Sequence, residues 1–205
     1  MSKIIVIGSQ KGGVGKTTTT FNLAYILNRM GKKVLAVDFD SQANLTTCYG
    51  IEKTDELENT IGHMLMAQIE DEKPLSVKKC IRTKDGVDFI PASIYLSAVD
   101  AKLRMEMGAE RMLAELLEPL RSQYDYILID TCPFLGILTI NALAAADEVI
   151  IAVNPQLLAM IGLQVFLRTV VKIKRRINPK LDIAGILLTM CVRREPHYAR
   201  CLPRK

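Results

Sequence analysis

The segment from Gly8 to Asn22, GSQKGGVGKTTTTFN, carries residue types that bind nucleotide phosphates. Its Gly15-Lys16-Thr17 end fits the pattern G-x-x-x-x-G-K-[ST], in which the lysine neutralises phosphate oxygens and the hydroxyl contacts Mg²⁺. The pattern places a glycine at position 10, but the chain has Gln10 there and a second lysine, Lys11, beside it. The segment therefore predicts a phosphate site, and the residues alone leave open whether Lys11 belongs to it or is a solvated loop lysine.

Glycines give this loop its conformational freedom. Gly12, Gly13 and Gly15 allow the backbone to curl so that successive N–H groups point at one anion. The start of the helix that follows adds a partial positive charge. A glycine-rich turn that binds nothing is the alternative, but the strand–loop–helix context favours a phosphate site. We predict a nucleotide-binding set of Gly12, Gly13, Val14, Gly15, Lys16, Thr17 and Thr18.

Carboxylates suited to magnesium and water follow two other apolar runs. Asp38 and Asp40 end the run KKVLAVDFD, and Asp130 ends YDYILID. Apolar residues followed by Asp form the Walker B pattern, which places a carboxylate near the metal. Each Asp taken singly is equally compatible with a turn or a helix cap. Together with the phosphate loop, they predict a metal site around Thr17, Asp40 and Asp130.

The elements that must position these residues alternate along the chain. Most of the predicted strands are apolar nearly throughout, as parallel strands covered on both faces are. The alternation predicts an α/β fold with a doubly wound, mostly parallel sheet, helices on both faces, and ligands at the C-terminal strand ends. The predicted strands are 3–7, 33–37, 87–90, 126–129, 148–153 and 183–188, and the predicted helices are 17–30, 61–69, 108–122 and 157–177.

Composition excludes several other classes of protein. The chain has 205 residues, 49% of them hydrophobic, without an apolar run of about 18 residues that would span a membrane. The N-terminus reads as a first strand and not as a signal peptide. The five cysteines form no C-x-x-C pair and the chain has two histidines, so a zinc site is not expected. We predict a reduced, cytoplasmic protein with no membrane partner.

Basic residues concentrate toward the C-terminus. From Arg168 to Lys205 the chain has eleven Lys or Arg and two acids, a balance of +9, whereas the rest balances to −4. Within the predicted helix 157–177, one stripe is basic and the opposite stripe is apolar and expected to pack in the core. A basic stripe is often a plain solvated face, but this one lacks interleaved acids, which favours a surface for a polyanion. Its basic residues are Arg168, Lys172, Arg175 and Arg176, and Arg193 and Arg194 follow.

Three segments together resemble the deviant Walker A ATPases. They are KGGVGKTT with its second lysine, VLAVDFDSQANLT, and YDYILIDTCPFLGILTINALAAADEVIIAVNP. Within that group the chain is most similar to the ParA/Soj chromosome and plasmid partition proteins, from Lys3 to about Arg193. The segments NPQLLAMIGLQVF and GILLTM match in the same order. The resemblance implies a P-loop NTPase fold of the deviant Walker A type.

The resemblance also implies a role for each matching residue. Lys16 matches the nucleotide-binding lysine, and Thr17 matches the magnesium-ligating threonine. Asp40 matches the aspartate that positions the attacking water, and Asp130 matches the Walker B aspartate. Lys11 matches the signature lysine, which reaches across an ATP-sandwich dimer as a trans-acting arginine finger would. The implied catalytic residues are therefore Lys11, Lys16 and Asp40.

Cofactors and partners follow from the same resemblance. It implies an Mg²⁺-dependent ATPase of weak intrinsic activity that forms an ATP-dependent homodimer. The dimer would bind DNA non-specifically, work with a ParB-like centromere-binding partner, and be cytoplasmic and nucleoid-associated. DNA phosphates would be contacted without base reading. The implied DNA-binding residues are Arg168, Lys172, Arg175, Arg176, Arg193 and Arg194.

Two other functions stay open at this point. A MinD-like, membrane-associated ATPase of division-site placement would need an amphipathic terminal helix, and the sequence shows none. An inactive relative would keep the fold without turnover. Family members continue beyond GILLTM through a helix, a strand and a proline-arginine loop near the adenine. We therefore expect one P-loop ATPase domain over residues 1–205, with the C-terminal part of the family fold missing after about residue 193.

Overall fold

The fold is built on one twisted sheet. The structure, a computed structural model, describes residues 2–71 and 75–191, without the side chains of residues 157–160. Within these residues, seven strands pair in the order β3-β4-β2-β5-β1-β6-β7. All neighbours are parallel except β3 and β4, which form an antiparallel pair at one edge. The strands are β1 (Lys3–Gly8), β2 (Val34–Phe39), β3 (Arg82–Lys84), β4 (Val87–Ile90), β5 (Tyr126–Thr131), β6 (Glu148–Val153) and β7 (Asp182–Leu188).

Helices cover both faces of the sheet, as predicted. Alternate residues of β1 divide between the two cores: Ile4 and Val6 belong to the larger one, and Ile5 and Ile7 to the smaller. The smaller core is covered by α1 and α2, and the larger by the helices from α3 to α8. The helices are α1 (Lys16–Arg29), α2 (Asn44–Cys48), α3 (Ile61–Ile69), α4 (Val77–Cys80), α5 (Tyr95–Leu103), α6 (Met112–Leu117), α7 (Ile137–Ala145) and α8 (Leu157–Arg176).

One predicted helix is wrong in its extent. The segment 108–122 holds only the short α6, between 3₁₀ turns at Ala109–Arg111 and Glu118–Leu120. Pro119 has no N–H with which to continue the helical hydrogen bonds, so α6 ends before it. Helices α2, α4, α5 and α7 were not predicted. No residue of α7 is exposed, so its sequence lacks the polar face that reveals a surface helix.

Helix α8 packs on the sheet as its apolar stripe predicts. Phe166, Val170 and Ile173 are buried in the larger core. Gly8, at the end of β1, makes this approach possible, because a Cβ there would lie 2.5 Å from Cζ of Phe166. In the described part of the chain, no helix has the length and apolar character needed to cross a bilayer.

Candidate functional site

The phosphate loop connects β1 to α1 at the C-terminal edge of the sheet. Gly13 and Gly15 adopt left-handed backbone conformations, with φ of 67° and 81°. L side chains are strained there, so glycine suits both positions. Gly15 directly precedes α1, and Gly12 and Gly13 are exposed to solvent. The loop therefore exposes glycine backbone and a helix start at one place, an arrangement that suits an anion.

Lys16 is buried where the charges of two carboxylates act on it. Its side chain is buried with 7% exposure, and burial lowers its pKa, while the charges of Asp130 and Asp40 act to raise it. A buried ammonium with two nearby carboxylates is prepared to exchange part of this environment for phosphate oxygens. The structure thus brings together the three residues that the sequence assigned to phosphate, metal and water.

Asp130 is a buried carboxylate with only one of its two oxygens hydrogen-bonded among the described residues. Burial raises its pKa to about 6, against the opposing effects of the Thr17 hydroxyl and Lys16. Thr20 Oγ1 donates to Asp130 Oδ1 at 3.4 Å, whereas the buried Oδ2 has no hydrogen-bond partner among the described residues. A buried acceptor without a donor is costly and indicates a missing partner such as a metal-bound water.

Magnesium fits this donor set when a nucleotide is present. No group of three or more His, Cys, Asp or Glu side chains able to hold a metal occurs in the described part of the chain. Mg²⁺ does not require such a cage, because it keeps several waters and shares one or two protein ligands with substrate phosphates. The hydroxyl of Thr17 and the free Oδ2 of Asp130 are suited to those two positions.

Asp38, near the end of β2, and Asp40, directly after this strand, lie in different environments. Asp38 is paired in register with Asp130 on β5, and burial raises its pKa to about 7 despite hydrogen bonds from Thr46. Thr46 N and Oγ1 donate to Asp38 Oδ2 at 2.8 and 2.7 Å. The charge of Asp40 acts on Lys16, and its Oδ1 accepts a 3.1 Å hydrogen bond from Gln42 N. Asp40 is therefore the carboxylate of this pair that borders the phosphate site.

Thr189 was missed by sequence reasoning, although it fixes the phosphate loop. Its Oγ1 donates to the carbonyl of Val14 at 2.8 Å, and its N–H donates to the carbonyl of Val153 at 2.9 Å. It follows β7 directly, at the same edge of the sheet as Asp40 and Asp130. The signal was a threonine at the end of an apolar strand, in GILLTM.

Lys11 and Gln10 connect the loop to α8. Lys11 Nζ donates to Oε1 of Gln156, the N-cap residue of α8, at 2.6 Å. Gln10 packs on the same helix, because a Cβ on Gly162 would lie 3.8 Å from Gln10 Cβ. The residue that replaces the expected glycine is thus a contact between the phosphate loop and α8.

The basic stripe is exposed over the C-terminal half of α8. Arg168, Lys172, Arg175 and Arg176 are all exposed, opposite the buried apolar stripe. None of the four makes a hydrogen bond or ion pair within the described residues, whereas Lys174 donates to Asp182 at 3.1 Å. The predicted DNA-binding residues Arg193 and Arg194 lie outside the described part of the chain.

The sequence is similar to those of known proteins along most of its length. A family model described as an AAA domain matches residues 2–183. The sporulation initiation inhibitor protein Soj of Bacillus subtilis is 44% identical over 93% of this chain and 73% of its own length. The chromosome partitioning protein ParA of Caulobacter vibrioides is 38% identical over 94% of this chain and 71% of its own.

A solved structure extends the comparison to three dimensions. Cobyrinic acid a,c-diamide synthase from Mycobacterium smegmatis, with bound ATP analogue and magnesium, superposes with a TM-score of 0.89 at 33% identity. The superposition covers 98% of this chain and 80% of that one.

The parallel sheet, the phosphate loop and the buried lysine on which two carboxylate charges act define a P-loop ATPase. Soj and ParA are 44% and 38% identical to the chain. The chain therefore belongs to the ParA/MinD-type P-loop ATPases. The predicted family and fold are therefore confirmed. These relatives support the prediction of a partition-type ATPase.

Proposed function

We propose that this protein is a Mg²⁺-dependent partition ATPase that dimerises around ATP and binds DNA non-specifically as a dimer. The buried Lys16, which feels the charges of Asp40 and Asp130 at a glycine-rich loop, supports ATP chemistry most directly. The kinship with Soj and ParA supports the partition role. The proposed setting is the cytoplasmic nucleoid, with a ParB-like centromere-binding partner and no membrane.

Within one protomer, the site residues would divide the reaction among them. Backbone N–H groups of residues 12–18 and the Lys16 ammonium would bind the β- and γ-phosphates. Thr17 and Asp130 would hold Mg²⁺, which neutralises charge on the transferring phosphoryl group when bound. Asp40 would orient the attacking water toward the γ-phosphate.

A second protomer would complete the site through Lys11. A cation that arrives only on dimerisation stabilises the transition state in the way an arginine finger does. Lys11 is suited to this role because it lies at the exposed rim of the loop and forms its bond with Gln156 at the surface. Hydrolysis would then depend on protein concentration as well as on ATP.

DNA binding would use the basic stripe of α8. The exposed Arg168, Lys172, Arg175 and Arg176 form no ion pair with an acid among the described residues, and Arg193 and Arg194 would add to them. Contacts to phosphates alone give non-specific, salt-dependent affinity. Two stripes in one dimer would raise affinity through multivalency, which makes DNA binding follow the ATP state.

Duplex DNA binding with ATP, ADP or no nucleotide tests this function. Wild type is compared with Lys11→Ala, which should bind ATP without dimerising, and with Lys16→Ala, which should lose ATP. We expect ATP-dependent DNA binding in the wild type alone. Equal DNA affinity in all three nucleotide states would overturn the switch. ATP-dependent flotation with anionic lipid vesicles, without DNA binding, would favour the MinD-like alternative.

A further inference from the structure

Asp38 and Thr46 form a buried network beneath the segment that carries Asp40. Both side chains are almost fully buried, with exposures of 1% and 0%. Thr46 N and Oγ1 donate to Asp38 Oδ2 at 2.8 and 2.7 Å, and Asp40 N donates to Asp38 Oδ1 at 3.3 Å. One carboxylate therefore holds both ends of the segment 40–46.

The network also reaches the next strand. Thr46 Oγ1 accepts a 2.9 Å hydrogen bond from Ala92 N, just after β4. The Thr46 hydroxyl thus uses its proton for Asp38 and a lone pair for Ala92. Because β4 is paired with β2, the segment is fixed to two strands of the sheet.

The enclosed segment is a tight turn around Asp40. Gln42 N donates to Asp40 Oδ1 at 3.1 Å, and Ala43 N donates to the Asp40 carbonyl at 2.9 Å. Ala43, the N-cap of α2, has a φ of 51°, a left-handed conformation that a non-glycine residue adopts only when its surroundings impose it. The orientation of Asp40 is therefore set by the contacts that close the turn.

We propose that Asp38 and Thr46 are positioning residues for hydrolysis, which hold Asp40 in the orientation that directs water to the γ-phosphate. This inference rests on the proposed ATPase function. Asp40 and Asp130 are the carboxylates whose charges act on Lys16. Asp38, in contrast, directs both oxygens to donors of residues 40 and 46. Its contribution is thus geometric, and it belongs to the chemical step and not to nucleotide binding.

Thr46→Val and Thr46→Ser form the test pair in the full chain. Valine keeps the shape of threonine but removes the hydroxyl, whereas serine keeps the hydroxyl. We expect Thr46→Val to lower kcat about tenfold, a size typical of small displacements of a reacting group. The affinity for a fluorescent ATP analogue should change by less than about twofold, because binding uses Lys16 and the loop backbone. Thr46→Ser should recover most of the kcat.

An Asp40→Ala background separates positioning from general damage. If Thr46 acts through Asp40, then Thr46→Val lowers kcat no further once Asp40 is absent. A further drop of the same size in that background, an unchanged kcat in Thr46→Val, or failure of Thr46→Ser to recover kcat would each overturn the inference. If the wild type shows no more hydrolysis than Lys16→Ala with ATP, Mg²⁺ and DNA, the proposed ATPase function is wrong, and so is this inference. Hydrolysis by the wild type with an unaffected Thr46→Val would remove the positioning role alone.

Discussion

Lys11 Nζ and Gln156 Oε1 lie 2.6 Å apart, in a hydrogen bond between the phosphate loop and the N-cap of α8. The lysine that would act in a partner's site is therefore engaged within its own protomer. In the proposed function, Lys11 would leave Gln156 before reaching the partner's nucleotide. Since α8 also carries the basic stripe, this bond joins the two surfaces on which the proposed switch depends.

Replacing Gln156 with glutamate should strengthen this internal engagement of Lys11. A carboxylate acceptor would convert the bond into an exposed ion pair, worth up to about 1 kcal/mol. We expect ATP-dependent dimerisation of Gln156→Glu to weaken by up to about thirtyfold, since that free energy opposes release of Lys11 in each of the two protomers. Sedimentation velocity with a non-hydrolysable ATP analogue measures the dimer fraction. Gln156→Ala is the matched control and should dimerise at least as well as wild type, and equal dimerisation by all three proteins would contradict this prediction.

The basic stripe should determine the salt dependence of DNA binding. We expect Arg175→Ala combined with Arg176→Ala to weaken ATP-dependent binding and to reduce the slope of log affinity against log salt by about 4, because the dimer loses two phosphate contacts from each stripe. Lys174→Ala is the matched control in the same turn, because Lys174 is already engaged with Asp182 at 3.1 Å. Fluorescence anisotropy across a salt series gives both slopes. An equal slope change in the control would show that charge anywhere on α8 suffices.

Much of the site could be predicted because it depends on local patterns. A strand followed by Gly-Lys-Thr fixes the position of Lys16, and apolar runs that end in Asp fix Asp40 and Asp130 at the same edge of a parallel sheet. Their closeness to Lys16 then follows from the parallel topology. The positions of Lys16, Asp40 and Asp130 relative to one another could therefore be predicted from the sequence.

The remaining contacts depend on residues far apart in the chain. Gln156 meets Lys11 across 145 positions, and Thr189 meets Val14 across 175. No spacing rule within a single sequence relates such pairs. The strand pattern located β7 at 183–188, against Asp182–Leu188 in the structure, but it did not place this strand at the sheet edge, where Ile186 is 49% exposed. Edge position is a property of the sheet order, which the strand itself does not encode.

Gly8→Ala should destabilise the fold through α8. A Cβ at position 8 would lie 2.5 Å from Cζ of Phe166, whose side chain is fully buried and must shift. We expect a loss of about 1–3 kcal/mol in the free energy of unfolding, typical of overpacking. Gly185→Ala, on β7, is the control, because a Cβ there meets no atom within 4 Å. Urea unfolding that gives equal stability for the two variants would show that α8 adapts without cost.

Asp147 should contribute stability that depends on pH. Arg121 donates to its two oxygens at 2.8 and 3.1 Å, and Ile4 N donates a third bond at 2.7 Å. Burial acts to raise the pKa of Asp147, but these donors outweigh it and hold the pKa below the ordinary 3.8. A carboxyl whose pKa is lower in the folded than in the unfolded state stabilises the fold above the unfolded value. That contribution is lost as pH falls through the folded pKa.

Asp147→Asn should therefore cost about 2 kcal/mol of unfolding free energy at pH 7, as expected for hydrogen bonds to a charged group. The difference from wild type should shrink as pH falls below the unfolded value of 3.8, because the wild-type carboxyl becomes protonated there. Urea unfolding of both proteins at neutral pH and at the lowest pH where both stay folded measures this difference. Asp182→Asn is the control, since Asp182 pairs with Lys174 at the exposed surface and should contribute little at either pH. A deficit of Asp147→Asn that stays constant across this range would assign the effect to packing around Arg121 and not to the charge of Asp147.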